Sequence, residues 1–189
     1  MGTYTLEEYL SWNDARYELI EGVKKMMAGV SEWHTKMTLK LSRYLDIFGD
    51  TEVAEKKYFI FHAPFDVVLF PEEEFNKNRT VVQPDLGICL KEKRKGRFVI
   101  GAPEFIIEVT SYDPAYDYKI KYDLYQKAGV LEYWIVHPRD GVVVQNIFDK
   151  TNKSYKNPIS FSIENDKEVV SEVIPEFSIN LRETFRFHF

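Results

Sequence analysis

Residues 101–111 read GAPEFIIEVTS, and residues 117–138, shortly after, read DYKIKYDLYQKAGVLEYWIVHP. The unbroken FIIEV run is the pattern of a strand buried on both faces. After Asp113-Pro114, which suits a helix entry, Tyr118, Ile120, Leu124, Tyr125 and Ala128 recur at helical intervals until Gly129 supplies a stop. LEYWIVHP is then a strand closed by proline. Upstream, VVQPDLGICL (81–90) pairs with FIIEV, the two joined by KEKRKGRFVIG (91–101).

Glu52 to Phe70 is rich in Phe, Val and Ile and broken by Pro64, which predicts two strands, and PEEEFNKNR (71–79) predicts an exposed loop. From Ser31, the residues Trp33, Met37, Leu41, Tyr44, Leu45 and Phe48 recur at threes and fours, and Gly49 ends a long helix. RYELIEGVKKMM (16–27) reads as a hairpin about Glu21-Gly22. TYTLEEYLSW (3–12) reads as a short helix, with Thr5 as cap, Glu8 three residues on, and Leu6, Tyr9 and Leu10 on one face. Downstream, GVVVQNIF is a strand, and Ser160 to Phe189 alternates like further β-structure. The order gives an α/β (α+β) domain, one mixed β-sheet flanked by helices, spanning residues 1–189 as a single unit.

Composition agrees. A chain of 189 residues, 44% hydrophobic and 15% aromatic, should bury roughly 70% of its unfolded surface and needs no staples. Cys89 is the only cysteine, so a disulfide within the chain and a cysteine zinc site are excluded. The opening MGTYTLEEYL lacks the basic flank and apolar core of a signal peptide, and no stretch has the length of a membrane span, which predicts a cytoplasmic protein with no membrane partner. Twenty-five basic residues against 30 acidic ones give a net charge of −5, which argues against nucleic-acid binding driven by bulk charge and makes any such contact local.

The sequence lacks GxxxxGK[ST], GxGxxG, GxSxG and HExxH, and its four histidines are scattered. What remains is carboxylates inside apolar strands, where a charge costs several kcal/mol without a partner. Asp85 follows Pro84 at a strand entry, and Glu108 interrupts FIIEV. If the strands are neighbours, both carboxylates reach one point, and hard oxygen ligands of this kind suit Mg2+ or Mn2+. Asp117 and Lys121 share a helix face with Tyr125, and Lys121 is placed to point back toward the carboxylates. The combination would serve phosphodiester hydrolysis. The plain alternatives are a turn aspartate at Asp85, an exposed Asp117–Lys121 pair, a capping or packing role for His34, and a solvated KEKRKGR turn. That turn is also the one concentrated positive patch.

Taken together, YELIEG, His34, VVQPDLGICL, GAPEFIIEVTS and the segment from Asp117 through AGVLEYWIVHP resemble the Uma-two family of restriction endonucleases, within the PD-(D/E)XK nuclease superfamily. The likeness covers about residues 5–150. It implies a restriction-endonuclease-like core with metal held by Asp85 and Glu108, and an acidic residue from the N-terminal region, which matches Glu18, with Glu21 the second candidate. The superfamily's lysine normally lies two residues after the glutamate, where this chain has Thr110, and Lys121 occupies the position of a helix-borne lysine. His137-Pro138 stands where the family commonly has Asp-Pro.

The leading expectation is a Mg2+- or Mn2+-dependent endonuclease acting on DNA, with Asp85 and Glu108 as metal ligands and with Lys121 and Glu18 completing the catalytic set. Its rival is a catalytically inactive nucleic-acid-binding or protein-interaction module on the same fold, and a third reading makes the carboxylates a buried structural network. Cutting both strands of a duplex with one site per chain points to a homodimer.

Overall fold

The computed structural model describes residues 3–186 apart from 13, 15, 28, 73 and 112–115, with the main chain alone at 116–118. Asp113-Pro114 and the side chain of Asp117 therefore lie outside the described residues.

The opening helix α1 (Leu6–Tyr9) starts as its capping pattern predicts, the Thr5 N–H donating to the Glu8 carboxylate at 2.9 Å. Leu6 and Tyr9 are buried, whereas Leu10 is exposed. Strands β1 (Tyr17–Ile20) and β2 (Val23–Met26) form the expected hairpin, and Glu21 and Gly22 both take the positive φ that a two-residue turn of this hand requires. Helix α2 (Glu32–Gly49) is capped by Ser31 Oγ, which accepts the His34 N–H at 3.1 Å, and buries Met37, Leu41, Leu45 and Phe48 on one stripe.

A helix not expected from periodicity, α3 (Glu52–Lys57), precedes β3 (Tyr58–His62) and β4 (Asp66–Val68). Only Ala54 of α3 is buried. A Thr51 cap, acidic residues in the first turn and lysines in the last define it, so it carries no apolar stripe to read. Then come β5 (Val81–Val82), β6 (Leu86–Leu90), β7 (Arg94–Lys95), β8 (Phe98–Ile100) and β9 (Phe105–Val109). A π-helical turn (Tyr116–Lys121) runs into α4 (Tyr122–Ala128), which Gly129 ends in the left-handed region at φ +81°. The remainder is β10 (Glu132–His137), β11 (Val142–Asp149), β12 (Ser154–Tyr155), β13 (Ile159–Ser162), β14 (Glu168–Val170), β15 (Ser178–Asn180) and a terminal turn of helix, α5 (Leu181–Thr184).

The single mixed sheet of the sequence reading resolves into two, plus a ribbon. One sheet has the order β2-β1-β5-β4-β8-β7; the other runs β12-β11-β10-β9-β6-β3 with β13 on β11; β14 and β15 pair alone. The reason is local. The strands β4, β5, β7 and β8 are two or three residues long, too short for a period to register, and the basic connector between β6 and β9 contributes two of them to the first sheet.

Strand β9 is central, antiparallel to β6 and parallel to β10. Its side chains alternate: Phe105, Ile107 and Val109 join the core under α2, and Ile106 joins the core that includes Leu124 and Tyr125 of α4. No described helix is long and apolar enough to cross a membrane. Cys89, fully buried on β6, has its thiol pushed up to about 12 by burial and by nearby Glu104. It is therefore expected to ignore Ellman's reagent at pH 8 in the native protein and to react at once in denaturant; rapid native reaction would place the thiol elsewhere.

Candidate active site

Leu86 of β6 pairs with Ile107 of β9, and continuing that register by one residue sets Asp85 opposite Glu108. The two are knit by their own backbones. Asp85 Oδ2 accepts the Val109 N–H at 2.8 Å, and Glu108 Oε2 faces the Asp85 N–H at 3.4 Å. Glu108 points to the Ile106 side of its strand, the side that α4 covers.

Lys121 closes the π-helical turn at the start of α4. It is 4% exposed, with Nζ 2.5 Å from Glu18 Oε1 and 3.3 Å from Glu108 Oε1. Glu18, in the buried middle of β1, also accepts the Gln83 N–H at 2.7 Å. Glu108 Oε1 in addition accepts the Tyr125 hydroxyl at 2.6 Å, and complete burial together with the Glu108 and Glu18 charges raises that phenol well above its ordinary value, so it stays a donor. Asp85, Glu108, Lys121 and Glu18 thus meet in one cluster drawn from both sheets and the crossover helix. Glu21 does not join them; it lies on the exposed turn and pairs with Lys127 at 2.7 Å, because the hairpin turns it to the surface.

The structure adds residues that the sequence pattern does not assign to the site. His34 Nε2 lies 3.1 Å from Asp85 Oδ2, a contact that requires Nε2 to carry the proton. Its signal was position: the first turn of a long helix aimed at the sheet. Tyr125 is four residues after Lys121, so the helix face they share also carries a hydroxyl to Glu108. Thr110, in the usual lysine position, is buried with Oγ1 3.4 Å from His137 Nδ1, and burial holds that imidazole below its ordinary value, in the neutral form.

The donor chemistry fits a hard divalent cation. Three carboxylates stand against one ammonium. Both hydrogen bonds that the Asp85 carboxylate accepts among the described residues fall on Oδ2. The fit is one of two carboxylates, since no three His, Cys, Asp or Glu side chains among the described residues form a ready metal cage. The KEKRKGR stretch makes a short turn and the edge strand β7. Lys93 there is neutralised by Glu104 at 2.5 Å, whereas Arg94 stacks on Phe59.

Comparison with known proteins agrees with this architecture. A crystal structure described as a "putative nuclease belonging to DUF820", from Anabaena variabilis, is similar with a TM-score of 0.69 at 15% sequence identity, covering 96% of this chain and 97% of that one. No curated protein sequence matches. The family model described as "Putative restriction endonuclease" matches residues 6–182, and the chain therefore belongs to the Uma2 family.

Proposed function

We propose that the protein is a divalent-cation-dependent endonuclease that hydrolyses phosphodiester bonds in DNA. Membership of a nuclease family supports the reaction class, and one observation carries the site: a buried amine from a separate helical element is delivered to Glu108 directly beside Asp85. Asp85 and Glu108 would hold Mg2+ or Mn2+, which when bound polarises the phosphoryl oxygen and acidifies a water. Glu18 and Glu108 fix the Lys121 ammonium, which donates to the non-bridging phosphate oxygens and stabilises their charge as it grows. The Tyr125 hydroxyl holds the Glu108 rotamer, and His34 holds that of Asp85, so both carboxylates are oriented before substrate arrives.

The test is nicking of supercoiled plasmid by the purified chain in Mg2+ or Mn2+. Conversion to open-circle or linear form is expected with the wild type and at least a hundredfold less with Asp85→Ala, roughly the loss seen when one preorganised group is removed. In parallel, calorimetric titration with Mn2+ should give binding to the wild type and none to Asp85→Ala. An inactive wild type that binds no Mn2+ would favour the inactive-module reading, and full activity of Asp85→Ala would take this residue out of the mechanism.

A further inference from the structure

Next to this cluster lies a cavity of about 470 Å3 between the end of α1 and the loop after β3, a size typical of small-ligand sites. Tyr9, Trp12, Phe65, Asp66, Gln83 and Arg97 form its working surface. Two of its walls are tied to candidate catalytic residues. The backbone N–H of Gln83 donates to Glu18 Oε1 at 2.7 Å, and Ala63, at the head of the loop bearing Phe65, donates its N–H to the Asp85 carbonyl at 3.0 Å. Gln83 and Asp85 are separated by one residue, so their Cα atoms lie at most about 7.6 Å apart. A nucleotide whose phosphate sits at Asp85 and Glu108 therefore has a base within reach of the cavity.

The floor is polar and rich in acceptors. Asp66, 8% exposed, accepts the Tyr9 hydroxyl at 2.6 Å and Gln83 Nε2 at 2.9 Å, both on Oδ1. Among the described residues its Oδ2 has a single, long contact, Arg97 at 3.4 Å. Gln83 is 5% exposed, and its buried Oε1 has no hydrogen-bond partner among the described residues. The walls are aromatic. One cation stands at the rim, the largely exposed Arg97, and Lys24 Nζ lies 4.5 Å from the Trp12 ring centroid.

A flat ring with two adjacent N–H donors and a carbonyl beyond them matches this arrangement. Guanine offers N1–H and its amino group to a carboxylate and O6 to a guanidinium; thymine offers one N–H between two carbonyls. We propose that the cavity receives one unstacked guanine of the strand being cut, stacked on Trp12, with its donor edge on Asp66 and O6 on Arg97. The proposal rests on the nuclease reading and adds the base that the site selects. Carboxylates beside aromatic rings would also suit the arginine of a basic peptide, but the two backbone ties to Glu18 and Asp85 favour a nucleotide.

The experiment reads binding without cleavage, so that an inactive chain can pass and an active nuclease can fail. Fluorescein-labelled eight-residue oligothymidylate, with or without one central dG, is titrated with the full chain in EDTA and again in Ca2+, and anisotropy gives the affinity ratio. The dG oligonucleotide is expected to bind about tenfold or more tightly, consistent with a stacking and bidentate contact. Trp12→Ala should weaken it by at least about tenfold, and Asp66→Asn, which keeps the shape of the floor, should bring the ratio near one. Arg97→Ala, a change at a largely exposed side chain, should lower the ratio severalfold and serves if a floor variant does not fold. Equal affinities in the wild type, or a ratio unmoved by all three substitutions, would overturn the proposal. So would tight binding of an arginine-rich peptide that depends on Trp12 while neither oligonucleotide binds.

Discussion

Lys121→Met is expected to abolish cleavage and to lower the melting temperature on the order of 10 °C at pH 8, with a markedly smaller loss at pH 5. The wild-type amine stands between two carboxylates that are themselves buried, at 2.5 Å from Glu18 and 3.3 Å from Glu108. Methionine keeps most of the stem volume, so the change removes charge without opening a large cavity. Breaking a buried pair by deleting one partner costs about 3–5 kcal/mol, and about 2–4 °C of Tm accompanies each kcal/mol in a chain of this size. The pH dependence follows from which state holds more protons. With the ammonium gone, burial favours the neutral carboxyls in the folded chain, so the folded variant binds more protons than the unfolded chain does above the ordinary carboxylate range. Its stability therefore falls as pH rises and is recovered on acidification. Thermal melts of both proteins at pH 5, 6.5 and 8 check this, alongside the plasmid assay. A deficit that is equal at all three values would mean the amine is not what neutralises Glu18 and Glu108, and intact cleavage would end its place in the mechanism.

How far the sequence could be read depended on whether a residue's role was written in its own neighbourhood. The hairpin at Glu21-Gly22, α2 and the two strands Phe105–Val109 and Glu132–His137 are each set by local period and by glycine or cap placement, and they appear where expected, whereas the helix between those strands opens with a π-helical turn before α4. The division into two sheets was not legible, because it depends on two- and three-residue strands whose partners are distant in sequence. The same limit applies to the site. Asp85 and Glu108 could be paired because they lie on strands predicted to be neighbours, and Lys121 because of its helix face. The residue-level reading alone did not reach Glu18, which comes from the other sheet and entered only through family resemblance. His34 looked like a capping or packing residue, and only the approach of α2 to the β6 entry brings its ring to Asp85.

Glu132 shows why a carboxylate within an apolar strand is an incomplete signal, and it supplies the control for Glu108. In LEYWIVHP it interrupts hydrophobic residues much as Glu108 interrupts FIIEV, and it is fully buried. Its surroundings are different in kind. Oε1 accepts Trp134 Nε1 at 2.6 Å and Gln145 Nε2 at 2.7 Å, while Oε2 accepts the Ser171 hydroxyl at 2.6 Å and the Val173 N–H at 2.9 Å. Four donors converge on it. In Glu132→Gln, whichever way the amide turns, its NH2 meets two of those donors, and the expected cost is about 2–4 kcal/mol with cleavage per folded molecule unchanged. Glu108→Gln should do the reverse. A glutamine carbonyl at the Oε1 position keeps the Tyr125 and Lys121 bonds, its NH2 meets a single donor, the Asp85 N–H at the long distance of 3.4 Å, and one negative charge leaves a cluster that holds three carboxylates against one ammonium. Apo stability should then stay within about 1 kcal/mol of wild type or rise, since like-charge repulsion is relieved. Cleavage should fall by a factor on the order of a thousand, and Mn2+ binding should be lost with it. Urea melts, plasmid nicking and Mn2+ calorimetry on the two variants give a crossed pattern if Glu108 serves chemistry and Glu132 serves the fold. If Glu108→Gln instead unfolds as readily as Glu132→Gln while any folded fraction still cuts DNA, the cluster around Lys121 is a structural network and the catalytic assignment is wrong.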